Sequence, residues 1–148
     1  MSFKSDLPSN ECETVYESST SRCWIWNHFL SSDESSLLFR QISDLELEHH
    51  PPIFIFGRAA NLQRSVGFYS DTSHGYAYTN QITKSQPLAP FLLDLLEKVN
   101  NVLKTNFNGI LINSYENGCE TIGAHSDDER GLDDTDGNRR VASISLGI

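Results

Sequence analysis

His125-Ser126-Asp127 sets an imidazole and a carboxylate two positions apart, late in a chain of 148 residues. In an extended segment residues i and i+2 point to the same side, so these two groups converge on one ion. A neutral imidazole and a carboxylate that leave coordination positions open suit ferrous iron in a facial triad of two histidines and one carboxylate. Alone the signal is short. With five histidines and ten aspartates, chance supplies about 0.3 H-x-D matches in such a chain, and a solvated loop pair has the same spelling.

The neighbouring residues narrow the reading. Asn113-x-Tyr115 leaves an apolar run, a turn follows, and His125-x-Asp127-Asp128-Glu129-Arg130 comes next. Upstream lie Ile55-Phe56-Gly57, then Arg64, then Tyr69-Ser70-Asp71, and Tyr76-Ala77-Tyr78-Thr79. Together these resemble the AlkB family of iron- and 2-oxoglutarate-dependent dioxygenases, especially the subgroup that repairs alkylated nucleic-acid bases. The resemblance covers residues 50–148 well and 23–49 loosely.

It implies that His125 and Asp127 are two of three iron ligands. Asn113 and Tyr115 would hold 2-oxoglutarate, since an amide and a phenol can both donate to a carboxylate or keto oxygen. Asp128, as a catalytic-site carboxylate, and Glu129, on the substrate side, would orient ligands or face the base. An exposed acidic turn paired with Arg130 is the plain alternative. Phe56 and Gly57 would form the tip of a substrate-gripping hairpin, with Phe56 wedged into the base stack. Tyr76 and Tyr78, two positions apart on a strand, would sandwich an extruded base, because a base inside a duplex cannot be reached without leaving the stack. Core positions for Phe56 and for the tyrosine pair are the competing readings. Arg58, Arg64 and Lys84 are candidate phosphate contacts or ordinary surface cations. His28, His49, His50 and His74 are expected in solvent or at the edge of the core.

The implied reaction uses Fe(II), 2-oxoglutarate and O2 to demethylate alkylated bases in DNA, and RNA remains open as substrate. The implied fold is α+β, a double-stranded β-helix (jelly roll) with flanking N-terminal helices. The family's third iron ligand, a histidine, and its arginine for the far carboxylate of 2-oxoglutarate are expected beyond Ile148. The fold is therefore expected to be incomplete at its C-terminal end, and the chain a weak catalyst or inactive. Two rival readings stay open: a non-catalytic form that binds nucleic acid, and a related dioxygenase acting on protein or a small molecule.

Several elements must position these groups. Residues 1–22, rich in Ser and Glu, read as a flexible tail ahead of a single domain over 23–148. Ser31 with Glu34 spells a capping box, and Leu38, Ile42 and Leu45 predict a helix over 32–45. Ile53–Phe56 predicts a strand and Gly57 a turn, with further strands over Val66–Tyr69 and Tyr76–Thr79. Pro90 opens a helix whose stripe is Leu92, Leu95, Leu96, Val99, Val102 and Leu103. Phe107–Tyr115 reads as a strand and Gly131–Asn138 as a loop. Arg140–Gly147, with Ala142, Ile144 and Leu146 alternating, reads as a half-buried strand. The sheet part is expected to be mainly antiparallel.

Composition bounds the rest. Apolar residues at 38% can build a core, which excludes wholesale disorder. No run approaches the ~18 apolar residues of a membrane span, and from the polar N-terminus no secretory leader is expected. Three cysteines without a CxxC exclude a disulfide framework or a structural zinc site and fit a reducing interior. A monomer inside the cell is expected, in the nucleus of a eukaryotic host. The net charge of −9 argues mildly against nucleic acid as a partner, yet residues 51–112 carry five basic groups against three acids.

Overall fold

The computed structural model describes residues 12–55, 57–78, 81–125, 127 and 139–147. In chain order the elements are β1 (Cys12–Glu17), β2 (Arg22–Trp26), α1 (Ser32–Ser43), β3 (Pro52–Ile55), β4 (Arg58–Asn61), β5 (Ser65–Tyr69), β6 (Gly75–Tyr78), β7 (Gln81–Gln86), α2 (Pro90–Leu103) and β8 (Ile110–Ser114). Three sheets result: the ribbons β1–β2 and β3–β4, and a four-stranded sheet in the order β6-β7-β5-β8. All pairings are antiparallel except β5 with β7. The α+β class thus stands, and among the described residues one helix, α1, precedes the main sheet where several were expected.

α1 begins where its cap chemistry says. Ser31 Oγ accepts the Glu34 N–H at 3.2 Å, and Glu34 Oε2 accepts the Ser31 N–H at 2.7 Å. Lys98 of α2 donates to Glu34 Oε1 at 2.8 Å and sits 5.5 Å above the Phe29 ring, tying the two helices together. α2 has Pro90 in its first turn and buries Leu92, Leu96 and Val99. It ends with Lys104 in the left-handed region, φ 53°. Asn100 stitches that end to the following chain, accepting the Phe107 N–H at 2.7 Å and donating to the Phe107 carbonyl at 2.8 Å.

Tyr69, Leu92 and Ile112 form the centre of the core, with Ile42, Leu45, Leu47, Leu88, Phe91 and Ile110 packed around them. Both helical segments therefore cover one face of the main sheet. The fit is close: a Cβ on Gly67 would meet Leu47 Cδ2 at 2.6 Å. Register puts Val66 opposite Asn113, and Phe68 opposite Leu111, on the other face. β5 is buried along its whole length, so it shows no alternation of exposure.

Two expectations change. Residues 12–17, expected to belong to a flexible tail, form β1 and pair with β2 across a bulge between Thr14 and Tyr16. The turn between them closes through the Ser18 N–H on the Ser21 carbonyl at 2.8 Å, so a Ser-rich stretch is here a hairpin turn. Arg140–Gly147 forms no strand. Its alternation offers an apolar face, but a strand needs a ladder partner, and none of β1–β8 pairs with it. Val141 and Ile144 are exposed, and Gly147 lies against the Phe39 ring of α1. The loop expected over Gly131–Asn138 lies outside the described residues.

Candidate metal and cosubstrate site

The site is built at the end of β8. Asn113 stands on the face of the sheet away from the helices, and Arg64 precedes β5 on that same face. Arg64 is only 5% exposed, and its Nε donates to Asn113 Oδ1 at 2.6 Å. That bond commits the amide oxygen and leaves Nδ2 to donate to a ligand oxygen. Tyr115 follows directly after β8 and is exposed.

A tight turn then carries the chain toward the histidine. Glu116 N–H donates to Glu120 Oε2 at 2.8 Å, and Cys119 N–H to Asn117 Oδ1 at 2.8 Å. The Glu116 amide, joined by the His50 imidazole 2.7 Å from Glu120 Oε1, holds the Glu120 carboxyl below its ordinary range. Thr121 N–H donates to the Gln63 carbonyl at 3.0 Å, anchoring the loop beyond the turn.

At the end of that loop, His125 Nδ1 donates to the Gly123 carbonyl at 2.8 Å. With a proton on Nδ1 for that bond, Nε2, 3.4 Å from Asp127 Oδ1, is the ring nitrogen left to take a metal. Two donors each ~2.1 Å from one ion lie about 3.0–3.4 Å apart at angles from right to tetrahedral. The two residues thus fit as a pair of ligands, both half-exposed. Among the described residues no group of three His, Cys, Asp or Glu is gathered for a metal.

The residues expected on the substrate side are spread along the same face and its flanking ribbon. Gly57 sits in the β3–β4 turn at φ 76°, a left-handed conformation that suits glycine. Tyr76, paired with Thr83, is half-buried with its ring 5.8 Å from Phe68. Tyr78 is placed by its backbone, opposite Gln81. Arg58 and Lys84 are exposed, whereas Arg64 faces inward to Asn113 rather than out to solvent. Phe56, Asp128 and Glu129 lie outside the described residues.

His49 and His50, expected in solvent or at the core edge, have partners distant in sequence. Their rings stack at 4.1 Å, and His49 Nδ1 lies 3.0 Å from Ser65 Oγ and 3.4 Å from Glu116 Oε1. His50 reaches Glu120 across 70 residues of sequence. No local pattern discloses such a pair.

Residues 22–148 match the family model of the 2OG-Fe(II) oxygenase superfamily. The chain belongs to that superfamily. Within it the chain is AlkB-like. It is 30% identical over 118 residues to the DNA oxidative demethylase ALKBH2 of Mus musculus, a match covering 77% of this chain and 48% of the relative. It is 33% identical over 93 residues to the protein of the same name from Homo sapiens, covering 63% and 34% of the two chains. The chain thus spans about half, or less, of the curated relatives it matches. Superfamily membership implies Fe(II), 2-oxoglutarate and O2, and His125 with Asp127 supplies the donor chemistry that the metal takes. None of the helices among the described residues is long and apolar enough to cross a membrane.

Proposed function

We propose that this AlkB-like oxygenase carries out oxidative demethylation of alkylated bases in DNA, within a double-stranded β-helix completed around the described sheet. The observation that carries the reading is His125 Nε2 poised 3.4 Å from Asp127 Oδ1, with Nδ1 tied to Gly123. Similarity to relatives named DNA oxidative demethylase supports the substrate class. Fe(II), 2-oxoglutarate and O2, when bound, supply the oxidation of an N-methyl group, which then leaves as formaldehyde.

The chain's own residues do the positioning. His125 and Asp127 hold the metal, and the Gly123 carbonyl keeps the imidazole in the ligating tautomer. Asn113, oriented by Arg64, donates its amide to the cosubstrate, and Tyr115 adds a phenol beside it. Tyr76 and Tyr78 flank the extruded base, and the ribbon tip at Phe56-Gly57 fills the gap it leaves. Asp128 and Glu129, next to the ligand pair, orient it and face the base. Such a protein works as a monomer where DNA is, the nucleus in a eukaryotic host.

A second reading, a form that binds nucleic acid without turnover, is favoured by the two-member ligand set among the described residues. Formaldehyde release from a methylated oligonucleotide separates the two. The chain is supplied with Fe(II), 2-oxoglutarate and oxygen, and His125→Ala serves as control. Release that depends on His125 supports demethylation. Binding of the oligonucleotide without release supports the second reading.

A further inference from the structure

Both feet of the β3–β4 ribbon are bonded to the segment that leads into His125. On the entering side His50, two residues before Pro52, places Nε2 2.7 Å from Glu120 Oε1. The ribbon's base closes through the Leu62 N–H on the Pro51 carbonyl at 2.9 Å. On the leaving side the Gln63 carbonyl accepts the Thr121 N–H at 3.0 Å. Glu120 and Thr121 are neighbours, so two consecutive residues of the ligand-bearing loop hold the two feet.

The Glu120 side chain is only 7% exposed, and its second oxygen is taken by the Glu116 N–H. His50 itself is held at φ 44°, a region that residues other than glycine seldom enter. The stack on His49, which in turn reaches Ser65 of β5, fixes the His50 ring. A strained backbone, a buried carboxylate and a braced ring converge on one contact. That contact is where the ribbon and the ligand loop meet.

We propose that His50 and Glu120 are a positioning pair that couples the orientation of the β3–β4 ribbon to the loop carrying His125 and Asp127. The proposal rests on the reading of the ribbon as the substrate grip and of that loop as the metal holder. Metal binding orders the loop, the pair transmits that order to the ribbon's foot, and the ribbon meets the oligonucleotide already oriented. Linkage makes the effect reciprocal: a bound oligonucleotide tightens metal binding by the same factor.

The test uses the whole chain, with Mn(II) in place of Fe(II) and a methylated oligonucleotide, each titrated alone and in the presence of the other. Wild type is expected to bind the oligonucleotide on the order of 10-fold tighter with Mn(II) present. In His50→Ala and in Glu120→Ala that factor falls toward 1, and the double variant is no worse than either single one. Glu120→Gln, which keeps one acceptor oxygen and disturbs folding least, retains part of it. A factor that is the same in wild type and variants overturns the proposal.

Amide hydrogen exchange provides an arm independent of ligands. In His50→Ala, exchange is expected to quicken together at Thr121 and along Arg58–Asn61. Quickening on one side alone, or on neither, overturns the pair. Should wild type bind neither Mn(II) nor oligonucleotide, the functional reading fails while the exchange result still decides the coupling.

Discussion

The two ends of β5 are held by different forces. At Tyr69 the strand lies beneath Leu92 and the chain around Leu45 and Leu47, and stability there comes from apolar surface removed from water. At Ser65, roughly 13 Å away along the strand, its neighbours are polar: His49, the Arg64–Asn113 bond, and the bridge from Glu48 to Val66. Apolar burial is non-directional and tolerates small shifts. Hydrogen bonds between side chains do not, and a lost partner leaves a desolvated group. The contrast sets an end that packs on the apolar core against an end whose side chains are oriented by polar partners.

The sharpest way to break this division is at the apolar end. Leu92→Ala empties the most buried side chain among the described residues, with an expected loss of about 2–5 kcal/mol from a total of roughly 5–15. Urea unfolding measures it, and the fraction still folded should bind Mn(II) as wild type does. An altered affinity would show that the two ends are not separable.

Arg64→Ala attacks the polar end. Removing a buried donor from Asn113 should cost about 1–3 kcal/mol of stability. It should also weaken 2-oxoglutarate binding about 10-fold, the equivalent of one lost hydrogen bond of roughly 1.4 kcal/mol. Calorimetric titration of 2-oxoglutarate into the Mn(II)-loaded chain reads this directly. Unchanged affinity would mean that Asn113 does not need Arg64 to face the cosubstrate.

The smallest effect is expected remote from both ends, at the start of α1. Ser31→Ala should cost about 1 kcal/mol through the lost cap. Glu34, held down to about 2 by Lys98 and then by the Ser31 amide, gives a signature in pH. Its folded pKa lies below the unfolded one, so its stabilisation is complete above about 4.5 and fades as pH falls toward 2. The gap in thermal midpoint between wild type and Glu34→Gln should therefore be open at pH 7 and narrow below pH 4.5.

Much of this was legible locally. The capping box at Ser31, Pro90 with its stripe, and the apolar run before Gly57 each act within a few residues, so pattern and structure agree. β4, with the sequence Arg-Ala-Ala-Asn, and β7, where Thr, Lys, Ser and Gln prevail, have no strand signature. They are strands because β3 and β5 present them with ladders. Arg140–Gly147 is the converse, alternation that joins no ladder of β1–β8. In the candidate site His125, Asp127, Asn113 and Tyr115 were visible from spacing and resemblance. The bond from His125 to Gly123 is local, but those of Asn113 with Arg64 and of Glu120 with His50 depend on chain crossings that no spacing encodes.

The proposed function depends first on His125 and Asp127 together holding a divalent metal. Titration of Mn(II) into the wild-type chain, His125→Ala and Asp127→Ala, followed by the loss of free-ion EPR signal, tests it most directly. One ion is expected to bind per wild-type chain, with binding lost in both variants while their unfolding midpoints stay within a few degrees of wild type. Equal Mn(II) affinity in all three chains would contradict it.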